Sequence, residues 1–202
     1  GIEQLPNGEI LVTERGGRLF LIRNNEQLVE VGNLPDIVSQ DQGGLLDVTI
    51  HPNFENNSLV YLSYSRANPN NASQLTTAVA RGVLNGNALS QVETIFTALP
   101  YLNSGLHYGS SLVFDTNGYL YVSVGDRGRR SDYPQYFDYS LGNILRNHED
   151  GRIPTDNPFY NTQGAVNSIF TYGTRNPQGM TLHPETGVIW EGEHGPQGGD
   201  EI

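Results

Sequence analysis

The stretch Ser111-Leu112-Val113-Phe114-Asp115-Thr116-Asn117-Gly118-Tyr119-Leu120-Tyr121-Val122-Ser123-Val124 decides the fold. Two runs rich in β-branched and aromatic residues flank a polar turn whose asparagine and glycine tolerate positive φ, so the segment reads as an antiparallel hairpin. If Asp115 to Gly118 form the loop, Phe114 pairs with Tyr119, and the register carried onward places His107 opposite Asp126. If Asn117-Gly118 alone form it, Asp126 faces Gly109. Either register brings His107 and Asp126 to the same end of the hairpin, within about two strand positions, or about 7 Å.

Outward from this hairpin the same grammar repeats. Strand-like runs occur at Ile10 to Thr13, Leu19 to Ile22, Leu45 to Ile50, Val60 to Tyr64, Thr77 to Arg81, Ser168 to Tyr172 and Val188 to Glu191. The 24 glycines and 11 prolines of the 202 residues are spread evenly, the punctuation of many short strands, and helical periodicity is nearly absent. A turn glycine followed by an apolar strand appears at Asn7-Gly8-Glu9-Ile10-Leu11-Val12, Asn117-Gly118-Tyr119-Leu120-Tyr121-Val122 and Thr186-Gly187-Val188-Ile189-Trp190, and His-Pro recurs at His51-Pro52 and His183-Pro184. The spacing suits four-stranded antiparallel blades of about 50 residues, the pattern of an all-β β-propeller. Leu45-Leu46-Asp47-Val48-Thr49-Ile50 is apolar at nearly every position, so both faces of that strand are covered, as in stacked blades. Three or four such blades would leave two open apolar faces. The chain therefore reads as one partial β-propeller domain over 1–202, with no internal boundary and with its C-terminal blades missing.

Composition narrows the functions. Eleven Lys and Arg against 22 Asp and Glu give a formal charge of -11, which leaves no cationic footprint for nucleic acid or an anionic membrane. With no cysteine, disulfides and thiolate metal sites are excluded. No run approaches the roughly 18 apolar residues of a membrane span, and no signal peptide opens the chain. A neutral small molecule or a bound cation is the better match.

Three constellations carry candidate chemistry. A carboxylate beside an imidazole fixes its tautomer and stabilises the imidazolium, so His107 and Asp126 are the candidate general base and its support. Gly173-Thr174-Arg175-Asn176-Pro177-Gln178-Gly179 sets a guanidinium beside an amide, two donors for a carboxylate or a quinone-type oxygen. Glu193-His194-Gly195-Pro196-Gln197-Gly198-Gly199-Asp200-Glu201 offers carbonyl and carboxylate oxygens to a hard cation such as calcium, without EF-hand spacing. Gln42, in Asp41-Gln42-Gly43-Gly44, stands at a strand end where a propeller mouth would lie. Each has a plainer reading as a turn: Asp126 as a cap, His107 as a loop residue, Arg175 as the partner of one of many acids, and 193–201 as an ordinary acidic loop.

Taken in order, Gln42-Gly43-Gly44-Leu45-Leu46-Asp47, His51-Pro52-Asn53-Phe54, His107, Val124-Gly125-Asp126-Arg127-Gly128, Asp150-Gly151-Arg152-Ile153-Pro154 with Asp156-Asn157-Pro158, Arg175-Asn176-Pro177-Gln178-Gly179 and Glu193-His194-Gly195-Pro196 resemble the soluble pyrroloquinoline quinone (PQQ)-dependent glucose dehydrogenase and aldose sugar dehydrogenase family. The resemblance implies the N-terminal half of a six-bladed propeller with PQQ and Ca2+ as cofactors. It implies that His107 removes the C1 hydroxyl proton of an aldose while hydride passes to the quinone, yielding the lactone, and that Asp126 supports this base. Arg175 and Asn176 match donors to the reactive quinone oxygen, Gln42 matches a polar contact, and the carbonyls of Gly195 and Pro196 match calcium ligands. It further implies a sugar substrate, an external electron acceptor and a periplasmic or extracellular location.

Two departures stand out. Gly109-Ser110-Ser111 replaces the family's usual Gly-Arg after the histidine, and the downstream basic residues that clamp the PQQ carboxylates lie outside the 202 residues. The isolated chain is therefore expected to be weak or inactive, and the full-length protein to be the enzyme. The rival readings are a non-catalytic propeller used for binding and a calcium-dependent lactonase or hydrolase that needs no PQQ.

Overall fold

The computed structural model describes residues 1–129 and 131–202. The chain runs as successive antiparallel meanders, each with its strands side by side in sequence order. The first sheet comprises β1 (Ile2–Gln4), β2 (Ile10–Glu14), β3 (Arg18–Ile22) and β4 (Leu28–Val31), and the second comprises β5 (Leu45–Ile50), β6 (Leu59–Asn68), β7 (Asn71–Asn85) and β8 (Ala88–Thr97). The third holds β9 (Leu112–Phe114), β10 (Leu120–Val124), β11 (Asn143–Asn147) and β12 (Ile169–Tyr172), and β13 (Pro177–Leu182) pairs with β14 (Ile189–Glu193) as a hairpin. A four-residue helix, α1 (Phe54–Asn57), links β5 to β6. The chain is thus all-β, built of four-stranded antiparallel sheets. No helix among the described residues is long and apolar enough to cross a membrane.

All nine strand-like runs of the sequence lie on strands, and five further strands, β1, β4, β8, β11 and β13, go beyond them. β11 shows why. Its sequence Asn143-Ile144-Leu145-Arg146-Asn147 is polar at three of five positions, yet all five residues are buried. Arg146 is satisfied there by Asn157 Oδ1 at 2.7 Å and Asp156 Oδ1 at 2.6 Å, with its guanidinium 4.7 Å from the Tyr119 ring centroid. Polar partners from a distant loop let the strand be buried, and no local pattern announces them.

The β9/β10 hairpin falls between the two registers expected of it. Phe114 pairs with Leu120 and Leu112 with Val122, leaving a three-residue loop closed by the Asp115 N–H on the Tyr119 carbonyl at 3.0 Å. The Asp115 carboxylate decides this by accepting the N–H groups of Asn117 and Tyr119, each at 2.9 Å, while Gly118 takes φ 81°. A side-chain acceptor inside the turn consumed the residue that either expectation had placed elsewhere.

Two apolar layers hold the sheets together. Leu11, Leu19 and Leu21 of the first sheet pack with Val48, Val60 and Leu62 of the second. Tyr61, Val79 and Ala98 pack with Leu112, Leu120, Val122 and Leu145 of the third. Val60 and Leu62 face one layer and Tyr61 the other, so the second sheet is covered on both faces, as the apolar run at 45–50 implied.

Asp47 is the polar member of that run. Its carboxylate accepts the Leu112 N–H of β9 at 2.9 Å and the Val48 N–H at 2.9 Å. Burial pushes its carboxyl above the usual range, and these hydrogen bonds partly oppose the shift. It is the hydrogen-bonded rivet between the second and third sheets. Asp47→Ala would strand the Leu112 N–H, and we expect a loss of about 1–3 kcal/mol of stability, seen as a lower urea midpoint at unchanged m-value. An unmoved midpoint would show that the rivet contributes nothing.

Candidate active site

The segment entering β9 carries His107 in the left-handed region at φ 48°, followed by Gly109 at 62° and Ser110 at 85°. Continued without a break, the β9/β10 register would set Asp126 opposite Tyr108. The curl of this segment instead turns His107 onto Asp126, with Nδ1 2.6 Å from Asp126 Oδ1. The imidazole is 12% exposed and the carboxylate 1%. Asp126 Oδ1 also accepts the Gly128 N–H at 2.7 Å, whereas Oδ2 is buried with no partner among the described residues. Because a carboxylate can only accept, Nδ1 carries the hydrogen, and in the neutral ring Nε2 keeps the lone pair.

Three further residues, from two loops, close on this pair. Gln42, in the loop before β5, accepts the His107 main-chain N–H through Oε1 at 2.8 Å and donates its own N–H to the Gly105 carbonyl at 3.1 Å. Its contact is thus with the backbone of the histidine rather than with its ring. Arg175 accepts the Asp126 N–H on its carbonyl at 2.7 Å, and Asn176, buried beside it, accepts the Gly109 N–H through Oδ1 at 3.1 Å. That leaves Asn176 Nδ2 as the free donor among the described residues.

The Arg175 guanidinium makes no ion pair among the described residues. Nη1 donates to the carbonyls of His194 at 2.6 Å and Gly195 at 3.2 Å. Its main-chain N–H rests on the Glu193 carboxylate, and His194 N–H returns to the Asn176 carbonyl at 3.2 Å. Pro196 follows in a tight turn whose carbonyl accepts the Gly199 N–H at 3.1 Å, and Gly195 is so close-packed that a Cβ would lie 1.5 Å from the Gly199 carbonyl oxygen. The imidazole, the carboxylate, the Arg175 main chain and, through its guanidinium, the His194 and Gly195 carbonyls therefore form one connected chain of contacts, while the Pro196 carbonyl turns to the Gly199 N–H.

The serines that depart from the family pattern act on the fold. Ser110 Oγ donates to the Tyr108 carbonyl at 3.0 Å, and Ser111 Oγ accepts the Met180 N–H at 3.0 Å. Asp47, Gly109, Ser110, Ser111 and Gln178 line a cavity of about 270 Å³. Glu193, a candidate oxygen donor in the 193–201 loop, anchors the Arg175 backbone, and Arg127, to which the sequence assigns no role, is wholly buried. In both cases only the fold supplies the partners.

With this geometry established, likeness to known proteins identifies the lineage. The model of the family described as Glucose / Sorbosone dehydrogenase matches residues 1–202. The chain belongs to the glucose/sorbosone dehydrogenase family. An aldose sugar dehydrogenase of Escherichia coli (strain K12) is 40% identical over 200 residues, covering 97% of this chain and 53% of that protein. Quinoprotein glucose dehydrogenase B of Acinetobacter calcoaceticus is 31% identical over 228 residues, covering 98% and 46% respectively. The PQQ-bound aldose sugar dehydrogenase of Streptomyces coelicolor superposes with a TM-score of 0.86 at 25% identity, over 100% of this chain and 57% of that one. The chain spans about half the length of the curated relatives it matches.

Beside the site, Glu191 is pushed up to about 7 by burial and then by the nearby Glu193 and Glu201 carboxylates. A carboxyl held above its ordinary 4.5 binds its proton more tightly folded than unfolded, so its stability contribution is full below about 4.5 and is lost as pH rises through about 7. We expect Glu191→Gln to flatten that loss, read from melting temperatures between about pH 4 and about pH 8. An unchanged pH slope would place the strain elsewhere.

Proposed function

We propose that the full-length protein oxidises aldose sugars at C1 to the lactone, with PQQ and calcium, and passes the electrons to an external acceptor. We place it on a six-bladed β-propeller in the periplasm or outside the cell. The observation that carries the reading is His107 Nδ1 held 2.6 Å from a buried Asp126 oxygen, with Nε2 unengaged among the described residues. The Streptomyces relative solved with PQQ and the Acinetobacter relative named a quinoprotein support the cofactor.

The residues present fit such a cofactor. Arg175 and Asn176 are adjacent donors that no carboxylate has claimed among the described residues, which suits an electron-rich carbonyl oxygen. Gly195 and Pro196 have neutral carbonyls of the kind a hard cation takes, each with a second lone pair beyond the one given to Arg175 Nη1 or to the Gly199 N–H. When bound, PQQ supplies the hydride acceptor and calcium its Lewis acid.

The chain's own residues do the rest. His107 Nε2 takes the C1 hydroxyl proton, so that the hydride leaves an alkoxide-like donor with its electron pair. Asp126 holds the ring through Nδ1 and stabilises the imidazolium from a position shielded from water. Arg175 brings a positive charge to the point where negative charge develops. Its tether to His194 and Gly195 sets that charge against the turn proposed for the cation.

The test is dye reduction by full-length apo protein reconstituted with PQQ and calcium in the presence of sugar. Turnover should require both additions, and His107→Ala should lower it by about 10²- to 10⁴-fold. Asp126→Asn should lower it as well, because an amide no longer selects the Nδ1–H tautomer. Wild-type turnover in His107→Ala would remove the proposed base, and sugar turnover without PQQ would favour the hydrolase reading.

A further inference from the structure

Arg127 is the largest fully buried side chain in the structure, with 0% exposure. It forms no ion pair among the described residues. Nε donates to the Leu106 carbonyl at 2.8 Å, Nη1 to the Leu75 carbonyl at 2.9 Å, and Nη2 to the Ser104 carbonyl. The Tyr108 ring lies beneath the guanidinium, 3.7 Å from Cζ to the ring centroid. Ser104 Oγ returns a bond to the Arg127 carbonyl at 2.7 Å, and the Arg127 N–H meets the His107 carbonyl at 3.3 Å.

These contacts fall on both sides of His107: Ser104 and Leu106 before it, Tyr108 after it. Arg127 also follows Asp126 directly, so one residue's backbone and side chain tie the carboxylate to the segment that carries the imidazole. A buried cation is a costly way to satisfy three carbonyls, since burial pulls its proton affinity below the usual value and water or a neutral donor would serve. What the planar fork adds is fixed direction, which a lysine ammonium supplies only in part. Direction is what the segment needs, because His107, at φ 48°, holds a conformation that persists only where its surroundings over-determine it.

We propose that Arg127 is the positioning residue for His107, its fork clamping the 104–108 segment so that the imidazole stays on Asp126. This rests on the reading of His107 as the base. It also yields a readout that does not depend on turnover: the Nδ1–H proton shared with Asp126, a downfield resonance identified by its loss in His107→Ala.

In full-length protein with PQQ and calcium, R127M should lower kcat by about 10²-fold, the scale of a small misplacement of a reacting group, with KM for the sugar little changed. The Nδ1–H resonance should move upfield or broaden, and R127K should recover part of both losses while circular dichroism stays that of the wild type. A folded R127M or R127K with wild-type kcat and an unmoved resonance overturns the proposal. So does failure of both variants to fold, which would make Arg127 a stability residue only. Wild-type turnover in His107→Ala is a separate result: it sinks the assignment of the base, while the resonance still reports whether Arg127 sets the geometry.

Discussion

Everything at the candidate site depends on how a stretch of irregular backbone, residues 104–110, is satisfied without secondary structure of its own. Buried N–H and carbonyl groups must find partners, and here distant side chains provide them. Gln42 takes the His107 N–H, Asn176 the Gly109 N–H, Thr77 Oγ1 donates to the Tyr108 carbonyl at 2.8 Å, and Ser63 Oγ donates to the Ser110 carbonyl. Arg127 holds the Ser104 and Leu106 carbonyls. The partners come from the second sheet, the loop before β5, the loop after β10 and the loop entering β13, so the segment keeps its shape only while those elements hold their relative places. The apolar layers between sheets therefore govern the chemistry indirectly, by fixing where these hydrogen-bonding side chains arrive.

The same constraint accounts for the small residues around it. A Cβ on Gly125 would lie 2.3 Å from the His107 carbonyl oxygen, and one on Gly109 would lie 2.7 Å from the Gly125 nitrogen. Two glycines let the strand leaving β10 and the segment entering β9 touch backbone to backbone, and that approach is what carries Asp126 to the imidazole. The pair is thus a product of close main-chain contact more than of strand register.

This explains what could be read from the sequence. The hairpin at 111–124, the repeated strand grammar and the both-faces burial at 45–50 rest on local composition, and the strands appear where composition put them. His107 and Asp126 were legible as neighbours because any sensible register puts them at one end of the hairpin. The way they meet was not, since the register runs one residue off the one that sets them opposite and the contact is made by positive φ at His107 and Ser110, residues with no local demand for it. β11 escaped notice because Arg146 and Asn157 satisfy each other only in the folded chain. Arg127 stood within a recognised motif but looked like a surface charge, because an arginine bonded to three carbonyls leaves no pattern along the chain.

Charge distribution gives the site its remaining character. The chain carries 22 acidic residues against 11 basic ones, yet the guanidiniums of Arg15, Arg66, Arg127 and Arg175 are free of carboxylate contact among the described residues. Arg175 and Arg127 both have that property among the described residues, and each is turned onto carbonyl oxygens instead. Glu193 lies close to Arg175, but it engages the backbone N–H and leaves the guanidinium uncompensated. A carboxylate placed on the guanidinium itself would neutralise the charge before any substrate arrived. A carboxylate on the backbone holds the residue still and leaves the guanidinium turned onto the His194 and Gly195 carbonyls.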